Sequence, residues 1–263
     1  MRFVILHYHF LKNAGMTVED ILHRSFGAGF ASIDTPDRDG HVSNEALLSL
    51  LESNPILKAV SSHQIRYPVP QVRGFVFFDL CFLRDPIDRL RSTYDYFREK
   101  PSAGDPVSES ANQLSLGEFI AFLLREMPWY VADAQVNLLA NGIVNDVPSP
   151  GDFERAVAKM LRTSFLGVVD RFEESLIAGW HFLRPVFPEL DCAAEATNST
   201  AGLESTLEKR REGVREACDS RVYSELLRLS ALDCKLVDLA RAEVTRRLRR
   251  AQSCSRAFSD RKP

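Results

Sequence analysis

The sequence is short of the features that mark secreted and membrane proteins. No stretch approaches the about 20 consecutive apolar residues that a membrane-spanning helix requires. The N-terminal residues show no basic segment followed by an apolar core and a small-residue cleavage site, as a secretory signal would. Cysteine is scarce, and no CxxC pair or metal-like spacing occurs among Cys81, Cys192, Cys218, Cys234 and Cys254. These absences predict a cytoplasmic protein with reduced thiols and no transmembrane segment.

The chain also lacks a strong charge of either sign. Its formal net charge is -3, from 33 basic and 36 acidic side chains among 263 residues, so no global field favours nucleic acid. An anionic ligand would need a local basic pocket instead. Hydrophobic residues make up 45% and charged residues 26% of the chain, which is the composition of a globular protein. We therefore predict a single domain over residues 1–263 and no nucleic-acid partner.

The chain does contain an alternation of apolar strands and amphipathic helices. Continuous apolar segments predict strands, and the longest of them is expected in the centre of a parallel sheet that is covered on both faces. Three of the predicted strands precede predicted helices, and a helical extension begins at about residue 203. This order predicts an α/β fold with a doubly wound parallel sheet. The predicted strands are 2–9, 57–62, 74–84 and 165–169, and the predicted loops include 27–42 and 101–112.

Ligands of such sheets bind at the carboxyl ends of the strands. The first strand leads into HFLKNAGMT, where Lys12 offers a cation, and Asn13 and Thr17 offer side-chain donors. Ala14 and Gly15 are small enough to let an anion approach a helix N-terminus. The lysine precedes the glycine, which reverses the Gly-Lys-Ser/Thr order of a nucleotide-triphosphate loop. An ordinary turn with a solvated lysine is the alternative interpretation.

A second cationic segment follows the longest predicted strand. Arg84 lies at the end of that strand, where a guanidinium is costly unless it is paired. Arg84 and Ser92 could both reach one phosphate from the edge of the sheet. The alternative is that Arg84–Asp85 or Asp88–Arg89 pairs are only local ion pairs.

Together these two segments resemble a known family. LKNAGMT after the first strand and FLRDPIDRLRSTYDYF after the longest one are similar to the sulfotransferases that use 3′-phosphoadenosine 5′-phosphosulfate (PAPS). Within them, the chain is most similar to the group of the heparan sulfate 2-O-sulfotransferases and their bacterial relatives. The resemblance implies a P-loop NTPase-like, three-layer αβα fold with a central parallel sheet and a helical C-terminal part. It also implies PAPS as the cofactor, with adenosine 3′,5′-bisphosphate (PAP) as its product.

The resemblance also assigns residues to the two ends of the cofactor. Arg84 and Ser92 would hold the 3′-phosphate. Met16 stands where the family usually has a hydroxyl residue, so only its backbone N–H can serve there. The loop around the 5′-phosphosulfate would consist of Lys12, Asn13, Ala14, Gly15, Met16 and Thr17.

The segment between the two motifs supplies a base. Sulfuryl transfer to an alcohol needs a group that takes the acceptor proton, and histidine suits that role near neutral pH. His63, in SSHQIR, lies where the resembling enzymes carry a catalytic histidine. Those enzymes have a second histidine two residues earlier, and this chain has Ser61 there. A hydrogen-bonded histidine without a catalytic role is the alternative.

Weaker signals complete the prediction. The resemblance extends over about residues 5–200 and implies that Arg171, Asn198 and Thr200 lie near the nucleotide, although a strand–helix junction and a capping turn are the favoured alternatives. His7 and His9 could point to one side of a strand, but spacing places no third ligand, so we predict no metal. The basic run RRLRR (246–250) is interpreted as a solvated helix face. Core packing is favoured over an acceptor-binding wall for Tyr94, Trp129 and Tyr130.

The sequence therefore predicts a PAPS-dependent sulfotransferase. Its acceptor would be a hydroxyl of a carbohydrate or another small metabolite, with Lys12 and His63 as the catalytic residues. Two alternatives stay open, namely a catalytically silent protein that binds the nucleotide and a P-loop kinase of a small substrate. A kinase should show a Gly-Lys-Ser/Thr order and an acidic strand end, and this chain shows neither.

Overall fold

The structure is a computed structural model that describes residues 1–36, 40–142, 146–192 and 206–259. Its strands form a five-stranded, all-parallel sheet in the order β2-β3-β1-β4-β5. The predicted α/β class with a parallel sheet is therefore confirmed. The strands are β1 (Arg2–Tyr8), β2 (Phe30–Ser32), β3 (Ala59–Ser62), β4 (Phe75–Leu83) and β5 (Phe165–Val168).

Helices occupy most of the remaining described chain. Those before β5 are α1 (Gly15–Phe26), α2 (Asn44–Ser53), α3 (Pro86–Glu99), α4 (Pro106–Gln113), α5 (Leu116–Glu126), α6 (Ala134–Ala140) and α7 (Asp152–Arg162). Those after it are α8 (Phe172–Leu183), α9 (Leu207–Ala217), α10 (Ser220–Leu229) and α11 (Ala231–Ser259). No helix in the described ranges is both long and apolar enough to cross a membrane.

The chain divides into two compact units. The first consists of Met1–Leu83, Val157–Asn198 and Asp238–Pro263, and it contains the sheet. In this unit α1 and α8 pack on one face of the sheet, where Ile5, Leu80 and Phe165 belong to one apolar core. Side chains on the opposite face of β1 are buried as well, so both faces are covered, as a parallel sheet requires.

The second unit is Arg84–Ala156 with Ser199–Val237, and its described elements are helices. Its apolar core joins α3, α4, α5, α9 and α10 around buried Phe119 and Leu123. Arg84 Nε donates to Asp88 Oδ2 at 2.8 Å, and Arg210 Nε donates to Asp88 Oδ1 at 2.6 Å. A buried carboxylate that is shared by two guanidiniums satisfies the pairing that burial demands. The prediction of a single domain stays a prediction.

The structure corrects two of the predicted loops. Residues 27–42 contain β2, which is too short to show an alternating pattern and is defined by its pairing with β3. Residues 101–112 contain α4, which Asp105 caps by accepting from Val107 N–H at 3.1 Å. The polar composition of this segment predicts a loop, yet Val107 and Ala111 are buried one helical turn apart. The predicted strand 74–84 is internal, but β1 occupies the middle of the sheet.

Close packing of α8 on the sheet gives a first prediction. A Cβ atom at Gly179 would lie 2.3 Å from Cδ2 of Phe165, so Gly179→Ala should lower the free energy of unfolding by about 1–3 kcal/mol through overpacking. Gly213→Ala on α9 is the matched control, because the nearest atom to its Cβ would be Nη1 of Arg91, 4.0 Å away. Denaturant titration of both variants measures the effect. Equal stability of Gly179→Ala and the wild type would contradict this packing.

Candidate functional site

The loop between β1 and α1 has an unusual backbone. Lys12 and Ala14 adopt left-handed conformations, with φ of 62° and 61°, although neither is glycine. This conformation costs an L-residue roughly 1–2 kcal/mol, and such residues concentrate at functional sites. Gly15 continues directly into right-handed helix. A change from left- to right-handed conformation turns successive N–H groups toward one side, which forms a concavity that suits an anion.

The start of α1 reinforces this feature. Ala14 is the N-cap residue and has no polar side chain to accept from the first-turn N–H groups. An anion at this position would accept those hydrogen bonds and would also interact favourably with the helix dipole. Met16 is exposed, and Thr17 is half-buried in the same turn. The predicted position of the loop, after the first strand and before a helix, is confirmed.

Three histidines meet beside this loop. β1 and β3 are parallel neighbours with Tyr8 opposite Ser62, so the residues that follow the two strands, His9 and His63, lie side by side. Their ring centroids are 3.8 Å apart, and His9 N–H donates to Ser62 O at 3.0 Å. The ring of His7 stacks on that of His9 with centroids 5.3 Å apart. We refer to His7, His9 and His63 as the histidine cluster.

One carboxylate links the histidine cluster to α1. Glu19 Oε1 lies 3.1 Å from His9 Nδ1 and accepts from Ser61 Oγ at 2.7 Å. Ser61 Oγ in turn lies 2.8 Å from His7 Nδ1. Burial raises the pKa of Glu19, but hydrogen bonds from His9 and Ser61 outweigh it and hold the pKa at about 2. Glu19 is therefore ionised at neutral pH and acts only as an acceptor.

This arrangement determines which nitrogen of each histidine carries a proton. Ser61 gives its only hydroxyl proton to Glu19, so His7 Nδ1 is the donor to Ser61 Oγ. His9 Nδ1 donates to the carboxylate of Glu19. His63 Nδ1 lies 2.7 Å from the carbonyl oxygen of His9 and must donate to it. A neutral imidazole that donates through Nδ1 has a free electron pair at Nε2, and His63 is thus prepared to accept a proton there.

Desolvation keeps His63 neutral. Although the residue is exposed overall, its ring lies against His9, and the resulting loss of water lowers the pKa of His63. Repulsion from His9 lowers that pKa further. Burial likewise lowers the pKa of His7 well below its usual range. Asp34 fixes the backbone here, because its Oδ1 accepts from His63 N–H at 2.9 Å and from Ser62 Oγ at 2.8 Å.

Other predicted cofactor residues have partners within their own units. Asn13 is buried and donates from Nδ2 to Phe82 O at 2.8 Å, so it ties the loop to β4. Arg84 forms an ion pair with Asp88. This is a local ion pair, as the alternative interpretation expected, but that interpretation named Asp85 as the partner. Ser92 is half-buried on α3. Arg171 pairs with Glu174 and donates to Arg241 O at 3.2 Å. Asn198 and Thr200 lie outside the described residues.

Most of the remaining candidates have structural partners, but the buried Nε1 of Trp129 has no hydrogen-bond partner among the described residues. Tyr94 is buried in the core of the second unit, and its hydroxyl donates to Leu114 O at 3.0 Å. In the basic run, Arg246 Nε and Arg247 Nε both donate to Glu243 at 2.7 Å. Trp129 and Tyr130 lie at the short helical turn after α5, where Tyr130 O accepts from Arg89 at 2.7 Å. These contacts favour core packing for Tyr94. They also pair two arginines of the basic run with a carboxylate of the same helix.

Sequence reasoning missed Glu19 and Asp34. Glu19 lies one turn into α1, and only the packing of that helix against β1 and β3 brings it to the histidines. A signal was available, because a strand followed by a short loop and a helix returns the first helical turn to the strand's carboxyl end. Asp34 follows β2, which the sequence pattern did not reveal.

Comparison with known proteins finds a distant relative but no family. No known family profile matches the chain. A relative from the archaeon Archaeoglobus fulgidus, described as an uncharacterized protein, is 25% identical over 247 residues. That alignment covers 90% of this chain and 97% of the relative. The two chains therefore correspond along nearly their whole length.

The contact between Gly15 and His9 gives a second prediction. A Cβ atom at Gly15 would lie 1.8 Å from His9 Cδ2, so Gly15→Ala must displace the imidazole or the start of α1. We expect a loss of about 1–3 kcal/mol in the free energy of unfolding. His9→Ala in the same chain should restore much of that loss, because the two sites are in contact and their effects are not additive. Additive losses in a double-mutant cycle would contradict the contact.

Proposed function

We propose that the protein transfers a sulfuryl group from PAPS to a hydroxyl of a carbohydrate or another small metabolite. The observation that carries the proposal is the left-handed pair Lys12 and Ala14, which opens a helix N-terminus beside His63. An anion-binding concavity and a neutral base then lie at the same edge of the sheet. The resemblance of both sequence motifs to the PAPS-dependent sulfotransferases supplies the identity of the anion.

The proposed reaction is an in-line displacement. The acceptor oxygen forms a bond to sulfur while the bond from sulfur to the bridging phosphate oxygen breaks, and PAP departs with that oxygen. Lys12 and the first N–H groups of α1 stabilise the charge that develops on the leaving phosphate. His63 Nε2 takes the acceptor proton. As in phosphoryl transfer, the protein contributes positioning and charge stabilisation.

Two contacts support His63 as the base in this proposal. The His9 carbonyl holds Nδ1–H, so the proton-accepting nitrogen is Nε2. Asp34 fixes the backbone of His63, which limits the positions that the ring can adopt. Ser61, which replaces the second histidine of the resembling enzymes, serves instead as a hydrogen-bond bridge between His7 and Glu19. The assignment of Arg84 and Ser92 to the 3′-phosphate stays a prediction from the resemblance.

The alternatives predict different ligands. A kinase needs a metal–nucleotide site with an acidic strand end, and Arg84 follows β4 instead. A catalytically silent protein would bind PAP but would transfer no sulfuryl group. The departures at Met16 and Ser61 are the features that favour the silent protein. Nucleotide binding distinguishes the proposed enzyme from a kinase. Sulfuryl transfer distinguishes it from a silent protein.

Nucleotide binding gives a third prediction. PAP at 100 times its dissociation constant should stabilise the protein by about 2.7 kcal/mol and raise the midpoint of thermal unfolding by roughly 5 °C, whereas ATP should do neither. Lys12→Ala should lose most of this shift. Lys209→Ala, an exposed lysine on α9, is the matched control and should keep it. A larger shift with ATP than with PAP would overturn the proposal in favour of a kinase.

Removal of the base gives a fourth prediction. His63→Ala should reduce transfer of radiolabelled sulfate from PAPS into a carbohydrate and metabolite extract by about 10²–10⁴-fold, the usual contribution of a general base. The thermal shift with PAP should persist, because His63 is assigned to the acceptor. His181→Ala, which removes a histidine on α8, should transfer normally. Transfer by His63→Ala close to that of the wild type would remove His63 as the base.

A further inference from the structure

We propose that His7, His9 and Glu19 bind one divalent transition-metal ion of the zinc class. In the described part of the chain, one ring nitrogen of each histidine and a carboxylate oxygen of Glu19 all lie within 4.8 Å of one another. The three residues come from the end of β1 and from α1, which pack against each other in the first unit. This site adjoins the one proposed for sulfuryl transfer, because His9 contacts His63, but binding of the ion requires neither PAPS nor an acceptor.

The closest pair of ligand atoms already has suitable spacing. His9 Nδ1 and Glu19 Oε1 are 3.1 Å apart. Two ligands at the about 2.0–2.1 Å bond length of zinc are about 3.4 Å apart in a tetrahedral site. The separations among the three groups are at most 4.8 Å, so none has to shorten by more than about 1.4 Å. Glu19 has the most room to adjust, because its side chain is 25% exposed while that of His9 is 8% exposed and His7 is 1% exposed.

The donor set selects the kind of ion. Two imidazole nitrogens and one carboxylate oxygen suit Zn²⁺ and its first-row neighbours, whereas Mg²⁺ and Ca²⁺ prefer oxygen ligands alone. Three protein ligands also leave a coordination position for water.

Surrounding contacts restrict the ligands before any ion arrives. The ring of His9 is confined between Gly15 and the rings of His7 and His63. His7 is 1% exposed, and its partner Ser61 lies opposite it in the β1–β3 register. An ion would take the place of the proton that His9 Nδ1 shares with Glu19. Such restriction lowers the entropic cost of assembling a site.

The proposal departs from the sequence-based expectation that no metal is bound. That expectation depended on the spacing of His7 and His9, which supplies only two ligands. The fold adds the third, because α1 returns Glu19 to the carboxyl end of β1. A helical residue ten positions after His9 is not recognisable as a partner from spacing alone.

Metal titration gives a fifth prediction. Chelator-treated full-length protein, titrated with ZnCl₂ by isothermal calorimetry without nucleotide, should bind one equivalent of zinc per chain. Glu19→Gln and His7→Asn should each weaken that affinity by at least about tenfold, the lower end of what even outer-shell changes cost. His23→Asn, an exposed histidine on the same helix as Glu19, should bind like the wild type. Circular dichroism should establish that each variant is folded.

Zinc binding by cysteine thiols is the competing explanation for this result. Zinc that remains bound in Glu19→Gln and His7→Asn but is lost after alkylation of the cysteines would overturn the proposal, as would the absence of binding to the wild type. Cobalt substitution gives a second readout, since absorption bands with nitrogen and oxygen ligands and without thiolate charge transfer are expected. Failure of PAP to bind would leave this result unaffected, because no nucleotide is present.

Discussion

The register between β1 and β3 determines the polar chemistry at this edge of the sheet. His7 lies opposite Ser61 and Tyr8 opposite Ser62, so the chain leaves both strands at the same level. A slip by one residue would turn every side chain to the other face. His7 would then lose Ser61, and the rings of His9 and His63 would no longer meet. The apolar residues of β1 hold the register, because Val4, Ile5 and Leu6 are fully buried on the two faces.

His9 connects the two proposed activities. Its carbonyl accepts from His63, its Nδ1 donates to Glu19, and its ring covers Gly15 at the start of α1. A metal at Nδ1 would leave the carbonyl and the glycine contact in place. The proposed base and the proposed anion loop would therefore operate with or without an ion, so binding of zinc and binding of PAP can be measured separately. Both roles are possible because the backbone and the ring of His9 face different neighbours.

Sequence patterns were sufficient where local interactions decide the structure. The long apolar strand β4 was predicted, since its signal depends on neighbours in the chain. The position of the β1–α1 loop followed in the same way. β2, Glu19 and the Arg84–Asp88–Arg210 group were not predicted, because pairing partners from distant segments create them. Left-handed Lys12 and Ala14 were also missed, as neither residue type signals that conformation.

The contact between His9 and Gly15 has a consequence for how this chain can change over time. The glycine of a phosphate loop is commonly explained by the approach of an anion, yet here an imidazole occupies the space that any side chain at position 15 would need. Selection at that position therefore acts through the residue at position 9. Relatives that keep the histidine should keep the glycine whether or not they bind a nucleotide, and relatives with a small residue at position 9 should accept alanine or serine at position 15.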